Sequence, residues 1–438
     1  MRTLTLGAAL TVLGLLAPVA AGAQVASPVP EAVGLGGSYT ALARGIAAPA
    51  WNPAGLGMPD NPGASFALLP FSVTAGLSPV TPADLAEYDG QLIPAAVRQE
   101  WLAAITEAGG ETGNAGAEVT FLALGFGPVA LSASSTVRGQ VNLAPDVAEV
   151  LFFGNAGLTG DPQDYSLQGS NFDVAGTTTF AASMGFPLSI SLGPLPDQHF
   201  AVGATVKYTV GNFLMLGQES RSTISSDPIA VDIRFPIVHS PLPDDSAQDQ
   251  TFGDIANNGG GFGLDIGAAW QGGPFSAGVV VKNVVNTFEW DLDGLQFREG
   301  TATWDADSSS TSFDTASIAN APGELIDRIE TLYGFSPTLA AGAAMQVTPF
   351  LEVTGELRHS LEESLNVGER SHLGVGAELT ILPVLPIRAG VAAISGGYQL
   401  SGGLGLRLGP VQLAFSAAAR QTDLGDAARM ALGLTYGL

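Results

Sequence analysis

Residues 34–56 read GLGGSYTALARGIAAPAWNPAGL. Their side chains are too small for a strong amphipathic helix, and no period-2 alternation marks a strand. Asn52-Pro53 and Pro53-Ala54-Gly55 are turn chemistry, because Pro fixes φ and Gly55 permits a positive one. A compact, irregular segment of this kind has backbone donors and acceptors that need other structure around them. Everything downstream has the pattern of one large β-barrel. The expected arrangement is a sleeve with this stretch seated in its mouth as a plug.

The barrel expectation rests on period-2 segments of about ten residues. They are Ala64–Ala75, Ala117–Gly125, Val129–Arg138, Thr177–Leu192, Phe200–Asn212, Gly259–Gln271 and Phe275–Phe288. The second half adds Pro337–Val347, Leu351–His359, Ser371–Ile381, Ile387–Ala393, Tyr398–Arg407, Val411–Arg420 and Ala428–Leu438. The total is about fourteen, and single-chain bacterial barrels take even numbers. The links separate by parity. Even-to-odd links such as Gly127-Pro128 and Gly272-Gly273-Pro274 are short and rich in Gly and Pro, whereas the long ones, Gly76–Gly116, Gly139–Gly176, Phe213–Asn258 and Glu289–Ser336, are all odd-to-even. Short turns on one side and long loops on the other belong to a transmembrane barrel; a soluble sandwich has no reason to sort them. Two loops carry helical patterns, within Pro82–Ala108 and Ala321–Tyr333. The second places Leu325, Ile326, Ile329 and Leu332 on one face.

Composition agrees. Charged residues are 13% of the chain and hydrophobic ones 46%, yet no helix-length apolar run follows the first two dozen residues. The usual charged share is ~25%. An apolar chain without a membrane helix fits the other spanning solution, a closed barrel. Residues 1–23 read as a secretory leader: Arg2, an apolar run from Leu4 to Val19, and the Ala21-Gly22-Ala23 cleavage site. There is no cysteine, and the net charge is −25, which makes nucleic acid an improbable partner. The expected division is leader 1–23, plug 24–63 and barrel 64–438.

Gly-Leu-Gly-Gly-Ser-Tyr-Thr-Ala-Leu-Ala-Arg-Gly followed by Trp-Asn-Pro-Ala-Gly-Leu resembles the N-terminal signature of FadL-like outer-membrane barrels. The group includes fatty-acid and aromatic-hydrocarbon channels and the related PorV-like proteins of secretion systems. The resemblance covers about two dozen residues. It implies a bacterial outer-membrane protein whose periplasmic hatch contains Asn52, Pro53, Ala54 and Gly55. Where the family carries an acidic pair before the aromatic residue, this chain has Ala47-Ala48-Pro49-Ala50. The closing Gly433-Leu434-Thr435-Tyr436-Gly437-Leu438 looks like the outer-membrane assembly signal, with Leu at the end instead of Phe. The implied partners are outer-membrane lipid, the barrel-assembly machinery and a hydrophobic small molecule. The implied activity is passive uptake of fatty-acid-like or hydrocarbon molecules, which would bind an outer groove, pass the hatch and leave sideways or downwards. The alternative is a non-transporting scaffold or shuttle of the PorV-like type. An outer-membrane enzyme is a third class.

For the enzyme class no catalytic constellation stands out. His199, His239, His359 and His372 lie far apart, there is no Gly-x-Ser-x-Gly or P-loop, and Gly34-Leu35-Gly36-Gly37 lacks the preceding strand of a dinucleotide loop. No cofactor or metal is expected. Acidic residues Asp244, Asp245, Asp249, Asp254, Asp305 and Asp307 have the oxygen ligands calcium takes, but their spacing lacks the Gly and closing Glu of an EF-hand loop, and the expectation is a solvated face.

The lumen offers more. If Val202, Val206 and Val210 face lipid, Lys207 points inward; Leu264 and Ile266 likewise set Asp265, and Val279 and Val281 set Lys282. These three either neutralise one another or leave Lys207 or Lys282 to meet a carboxylate headgroup. Glu352, Glu356, Arg358, Glu378 and Arg388 form a second inward group. Phe213, Leu214, Met215 and Leu216 are either the upper lipid-facing girdle or the lip of an apolar outer groove.

Overall fold

The computed structural model describes residues 29–190, 195–241, 257–305, 307–362, 370–422 and 425–438. The leader and Asp244, Asp245, Asp249 and Asp254 lie outside these residues. Fourteen antiparallel strands form the wall: β1 Ala64–Ser78, β2 Glu111–Phe126, β3 Val129–Leu143, β4 Asn171–Leu188, β5 His199–Gln218, β6 Gly259–Gly272 and β7 Phe275–Asn286, then β8 Thr338–Thr348, β9 Leu351–Ser360, β10 Ser371–Leu382, β11 Leu385–Ile394, β12 Gly397–Leu408, β13 Val411–Thr422 and β14 Gly425–Gly437. Each pairs with the next, and β1 pairs with β14 from Ser65↔Gly437 to Gly76↔Ala427, so the sheet closes.

The alternation that defines these strands is imposed from outside. Met184, Val206, Phe262, Val279, Leu339, Val375, Val391, Leu404 and Phe415 are all exposed large apolar residues. A continuous belt of this kind stands in lipid, where closure alone satisfies every backbone group of a sheet. Two-residue turns join β2–β3, β6–β7, β8–β9, β10–β11 and β12–β13. Gly127, Gly273 and Gly409 take φ of +54, +55 and +61 in three of them, a conformation that glycine adopts without a Cβ clash.

On the opposite side several strands outrun the sequence expectation. β5 continues to Gln218 instead of closing at Asn212, and β2 begins at Glu111. Segments Ile237–His239, Gln296–Arg298 and Thr315–Ser317 extend the sheet from the top of β5. Helix α6 (Gly323–Leu332) packs Leu325 and Ile329 against Leu214, Leu216, Phe288, Trp290 and Phe335, which makes the core of an outer cap. Arg328 fastens it by donating to Gln218 at 3.0 Å. Leu214 and Leu216 are therefore fully buried, while Phe213 and Met215 are half-buried. The expected girdle or open groove is instead a covered floor, because the cap helix lies over it. Val210, expected in lipid, is also buried, at the level where the ring of Trp290 stands against Gly211. A second outer cluster joins α4 (Ala95–Ala108), through Trp101, Leu102 and Ile105, to Val80 and to Ala148 of α5 (Pro145–Phe153). The short α3 (Pro82–Glu87) starts on a capping box between Thr81 and Asp84.

Residues 29–63 lie inside the wall, towards the short turns. They fold as α1 (Pro30–Gly34), a turn Gly45–Ala47, α2 (Ala48–Trp51) and a turn Pro53–Gly57. Inward-facing strand glycines make room for them. A Cβ at Gly203 would strike Pro53 and Ala54, one at Gly267 would strike Asn52, and one at Gly376 or Gly390 would strike Leu35. Glycine weakens a strand interior, so here it marks close backbone approach.

Candidate functional site: the plug surface and the wall beside it

Asn52, Pro53, Ala54 and Gly55 form one tight turn. The Oδ1 of Asn52 accepts the Ala54 N–H at 3.1 Å and caps the Pro53–Gly57 turn. Its Nδ2 donates to the carbonyl of Ala268 on β6 at 3.0 Å and to that of Thr40 at 3.3 Å. One side chain thus closes the turn and ties it to the wall. Gly55 serves differently from the expectation: a Cβ there would collide with the Ala43 carbonyl, so close approach rather than a positive φ requires glycine.

Above this turn lies a charged layer. Lys207 and Asp265 are both buried, with Nζ 2.7 Å from Oδ1 and 2.9 Å from Oδ2. Asp265 also accepts the Asn283 N–H at 2.7 Å. Burying either charge alone would be costly, and the pair neutralises both. Lys282 points inward as well but forms no ion pair among the described residues. Its Nζ sits 5.7 Å from the centroid of the Trp51 ring, and the Cζ of Arg358 sits at the same distance. Tyr39 meets Trp51 edge-on at 5.7 Å. The aromatic quadrupole holds both cations over the plug. Arg358 is 3.4 Å from Glu356 Oε1, whose Oε2 accepts the backbone N–H of Tyr39 and of Thr40, each at 2.8 Å. Three cations (Lys207, Lys282, Arg358) thus meet two carboxylates (Asp265, Glu356) in this layer.

The rest of the second group lies on β9–β11, where Glu352, Glu378 and Arg388 are register partners nearer the short turns. Glu378 bridges Arg388 and Arg407, at 2.8 Å each. Glu352 joins none of the described ion pairs. In the loops, Asp305 accepts N–H groups from Asp307 and Ser308 and the Ser308 hydroxyl. These hydrogen bonds hold its carboxyl below the usual range, and its oxygens are engaged in its own turn.

Beside the plug, on the side of the short turns, is a cavity of about 570 Å³. Arg44, Gly45, Ile46, Ala47 and Ala50 bound it on the plug side, and Ser65, Thr120, Ser132 and Ser134 on the wall side. The wall itself is broken there. The β1–β2 ladder is interrupted between Phe66↔Leu124 and Phe71↔Val119, and the β1–β14 register shifts between Leu68 and Phe71. Leu69 takes φ +39, and Pro70 has no N–H to give. Ala67, Pro70, Thr120 and Ala123, which flank the break, all line the cavity, while Leu68 and Leu69 face outward.

Three features of the site escaped the sequence reading: the cations over Trp51, the anchoring role of Glu356, and the wall break. Only the last had a local signal, a proline inside an alternating strand, which is confined to edges and bulges. The others join residues remote in sequence.

No protein-family model and no curated protein matches the sequence. Solved structures do. The toluene transporter TbuX of Ralstonia pickettii is 13% identical, with 93% of this chain and 98% of that chain covered at a TM-score of 0.52. A variant of the monoaromatic hydrocarbon channel TodX is 11% identical over 93% and 96%, with a TM-score of 0.48. A FadL homologue of Pseudomonas aeruginosa is 12% identical over 95% and 100%, with a TM-score of 0.45. The last two superpose too loosely to add to the first. With its closed fourteen-strand wall, its apolar belt and its internal N-terminal segment, the chain has the fold of the FadL-like β-barrels of the bacterial outer membrane.

Proposed function

We propose that this barrel is a channel for passive uptake of hydrophobic small molecules, and that its preferred cargo is an amphiphile with a carboxylate head. One observation carries the second part: Lys282 lies over Trp51 and forms no ion pair among the described residues, while Lys207 is already neutralised by Asp265. An anionic head entering the lumen gains an ion pair there, whereas a bare hydrocarbon leaves Lys282 as it is. The hatch is residues 24–63, with Asn52, Pro53, Ala54 and Gly55 as its turn. Below it the cargo reaches the cavity beside β1–β3. Hydroxyls and the ion pair of Arg44 with Asp60 set polar groups into its otherwise apolar lining. The broken β1–β2 ladder opens beside it towards lipid, so the sideways exit suits an apolar tail better than the downward one.

The tight fit of the wall glycines against the plug favours a second reading, a non-transporting scaffold or shuttle. Proteoliposome uptake decides between them, with a labelled long-chain fatty acid and toluene as cargoes. The channel reading expects uptake above that of empty liposomes, and replacement of Lys282 by Met should slow the acid several-fold and leave toluene unchanged. No uptake of either cargo favours the scaffold. Equal slowing of both would remove the carboxylate preference.

A further inference from the structure

The mouth of the barrel is cut obliquely. β4 and β5 are 18 and 20 residues long, whereas β9 and β11 have 10 and β12 and β13 have 12. A tilted spanning strand takes about 9–11 residues, so β9 and β11–β13 do little more than cross the bilayer, and β4 and β5 rise well above it. Outward aromatic residues mark the outer interface independently. Tyr208, Phe262 and Tyr398 are all exposed, about ten residues from the short-turn ends of β5, β6 and β12, where an aromatic girdle stands. β5 continues from Tyr208 to Gln218, but β12 begins at Gly397, next to Tyr398. The wall thus has a low lip at headgroup level, closed by the links 395–396 and 423–424.

The high side is the covered one. Among the described residues, the two outer apolar clusters draw on β4, β5 and the long links and include nothing after Phe335. Those links, 79–110, 144–170, 219–258 and 287–337, hold 26 of the chain's 41 acidic residues and five of its 16 basic ones, a field that repels an anion on that side. The two links of the lip hold one acidic residue, Asp423. Just inside the lip the wall turns basic. Arg138, Gly116, Thr74 and Arg429 stand in one register row across β3, β2, β1 and β14. Arg420 lies two residues below the end of β13 and donates to Gln399 of β12 at 2.8 Å. Arg429 donates to Ser72 at 2.8 Å and to Glu118 at 2.6 Å, and Asp173 is shared between Arg138 and Arg328. Gly116 leaves the row open between its two guanidinium groups, since a Cβ there would meet nothing closer than 3.4 Å.

We infer that the low lip over β11–β14 is the entrance, and that a carboxylate amphiphile crosses it head first from the outer leaflet. The head leaves the headgroup layer at the level of Tyr398, meets Arg420 and the Arg138–Arg429 row, and passes on towards Lys282. The tail meanwhile stays in lipid against the outer face of β12. On this route no charged group crosses hydrocarbon, where it would be costly. The acidic, capped side takes no part in capture. The inference rests on the channel reading above and gives it an entry point.

The chain has no native cysteine, so a single introduced thiol is unique. S395C places one in the exposed β11–β12 link, and A319C places one in the exposed turn Ile318–Asn320 beside the cap core. Each is coupled to a bulky polyethylene-glycol maleimide added from outside, with coupling verified by mass. Initial uptake of the labelled long-chain fatty acid is measured in proteoliposomes at matched barrel content, against the same variant uncoupled. Coupling at position 395 should slow uptake several-fold, and coupling at position 319 should leave it within about twofold. No slowing from position 395, or equal slowing from both positions, overturns the inference. Arg138→Gln combined with Arg420→Gln should raise the fatty-acid concentration for half-maximal uptake several-fold at an unchanged maximal rate, leave toluene uptake as it was, and be largely reversed by Lys at both positions. An equal fall for both cargoes would overturn the docking of the head on these arginines. A wild type that transports nothing defeats the channel reading instead.

Discussion

Glu356 holds Thr40 by its backbone: Oε2 accepts the Thr40 N–H at 2.8 Å and the neighbouring Tyr39 N–H at the same distance. Both donors are remote from solvent, so Glu356→Ala leaves two of them unpaired. A single orphaned buried donor costs about 1–3 kcal/mol. The expected result is faster amide exchange at residues 38–41 with an unchanged, heat-modifiable barrel. Glu356→Gln keeps an acceptor oxygen and should lose less. Equal exchange in wild type and Glu356→Ala would remove the anchoring role.

Lipid, which imposes the alternation from outside, made the wall legible in the sequence. Met184, Val206 and Val281 were readable because any other arrangement would expose polar side chains to hydrocarbon. Residues 34–56 were legible as a compact irregular segment but not in their contacts, since Ala and Gly carry no periodicity and their partners lie hundreds of residues away. The run Phe213–Leu216 misled for a physical reason. Contiguous apolar residues at a strand end fit a lipid girdle, a groove or a covered core equally well, and only α6 decides among them. Alternation turns Lys207, Asp265 and Lys282 inward, but their pairing depends on Trp51 and on stagger between strands, which alternation does not fix.

The outward face gives a direct test of register. Arg in place of Met184, Val206 or Val281 should cost about 2–4 kcal/mol near mid-bilayer. Thr205, by contrast, faces the lumen and bonds Ser183 at 2.8 Å. Thr205→Val leaves the buried Ser183 hydroxyl without this partner and should cost about 1–3 kcal/mol, without the loss of assembly a lipid-facing charge brings. Folding titrations in vesicles measure both, and a harmless charge at Val206 would contradict the register.

Acid should loosen the first outer loop. Thr81 donates to Asp84 from its hydroxyl and its backbone N–H, at 2.6 and 2.8 Å, and these hydrogen bonds lower the Asp84 pKa. A lowered carboxyl pKa contributes stability above the unfolded value of about 3.9, and that stability is lost as pH falls through the folded value. Protease cleavage within residues 79–110 should therefore rise below about pH 4. Asp84→Asn should show the raised cleavage already at neutral pH with little further change on acidification. A wild type whose cleavage ignores acid, with a pH-tolerant protease, would show that the box does not hold the loop.

Asn52 gives the sharpest test of the hatch turn. Its side chain accepts from Ala54 and donates to Ala268 and Thr40, so one substitution removes a local bond and a wall tie together. Asn52→Ala should cost about 1–3 kcal/mol of hatch docking, because the Ala54 N–H loses its acceptor in a buried site. Pro53→Gly acts differently: it leaves these bonds in place and loosens the turn by enlarging the conformational freedom of the undocked segment, at about 0.4–1 kcal/mol. Neither change touches the wall or the last strand, so barrel yield and heat modifiability should match the wild type. Uptake should change in both, more in Asn52→Ala, if this turn controls passage through the barrel. Should the wild type be active and both variants transport at its rate, the turn does not control passage. A variant that fails to assemble would instead show that this turn is needed to build the barrel.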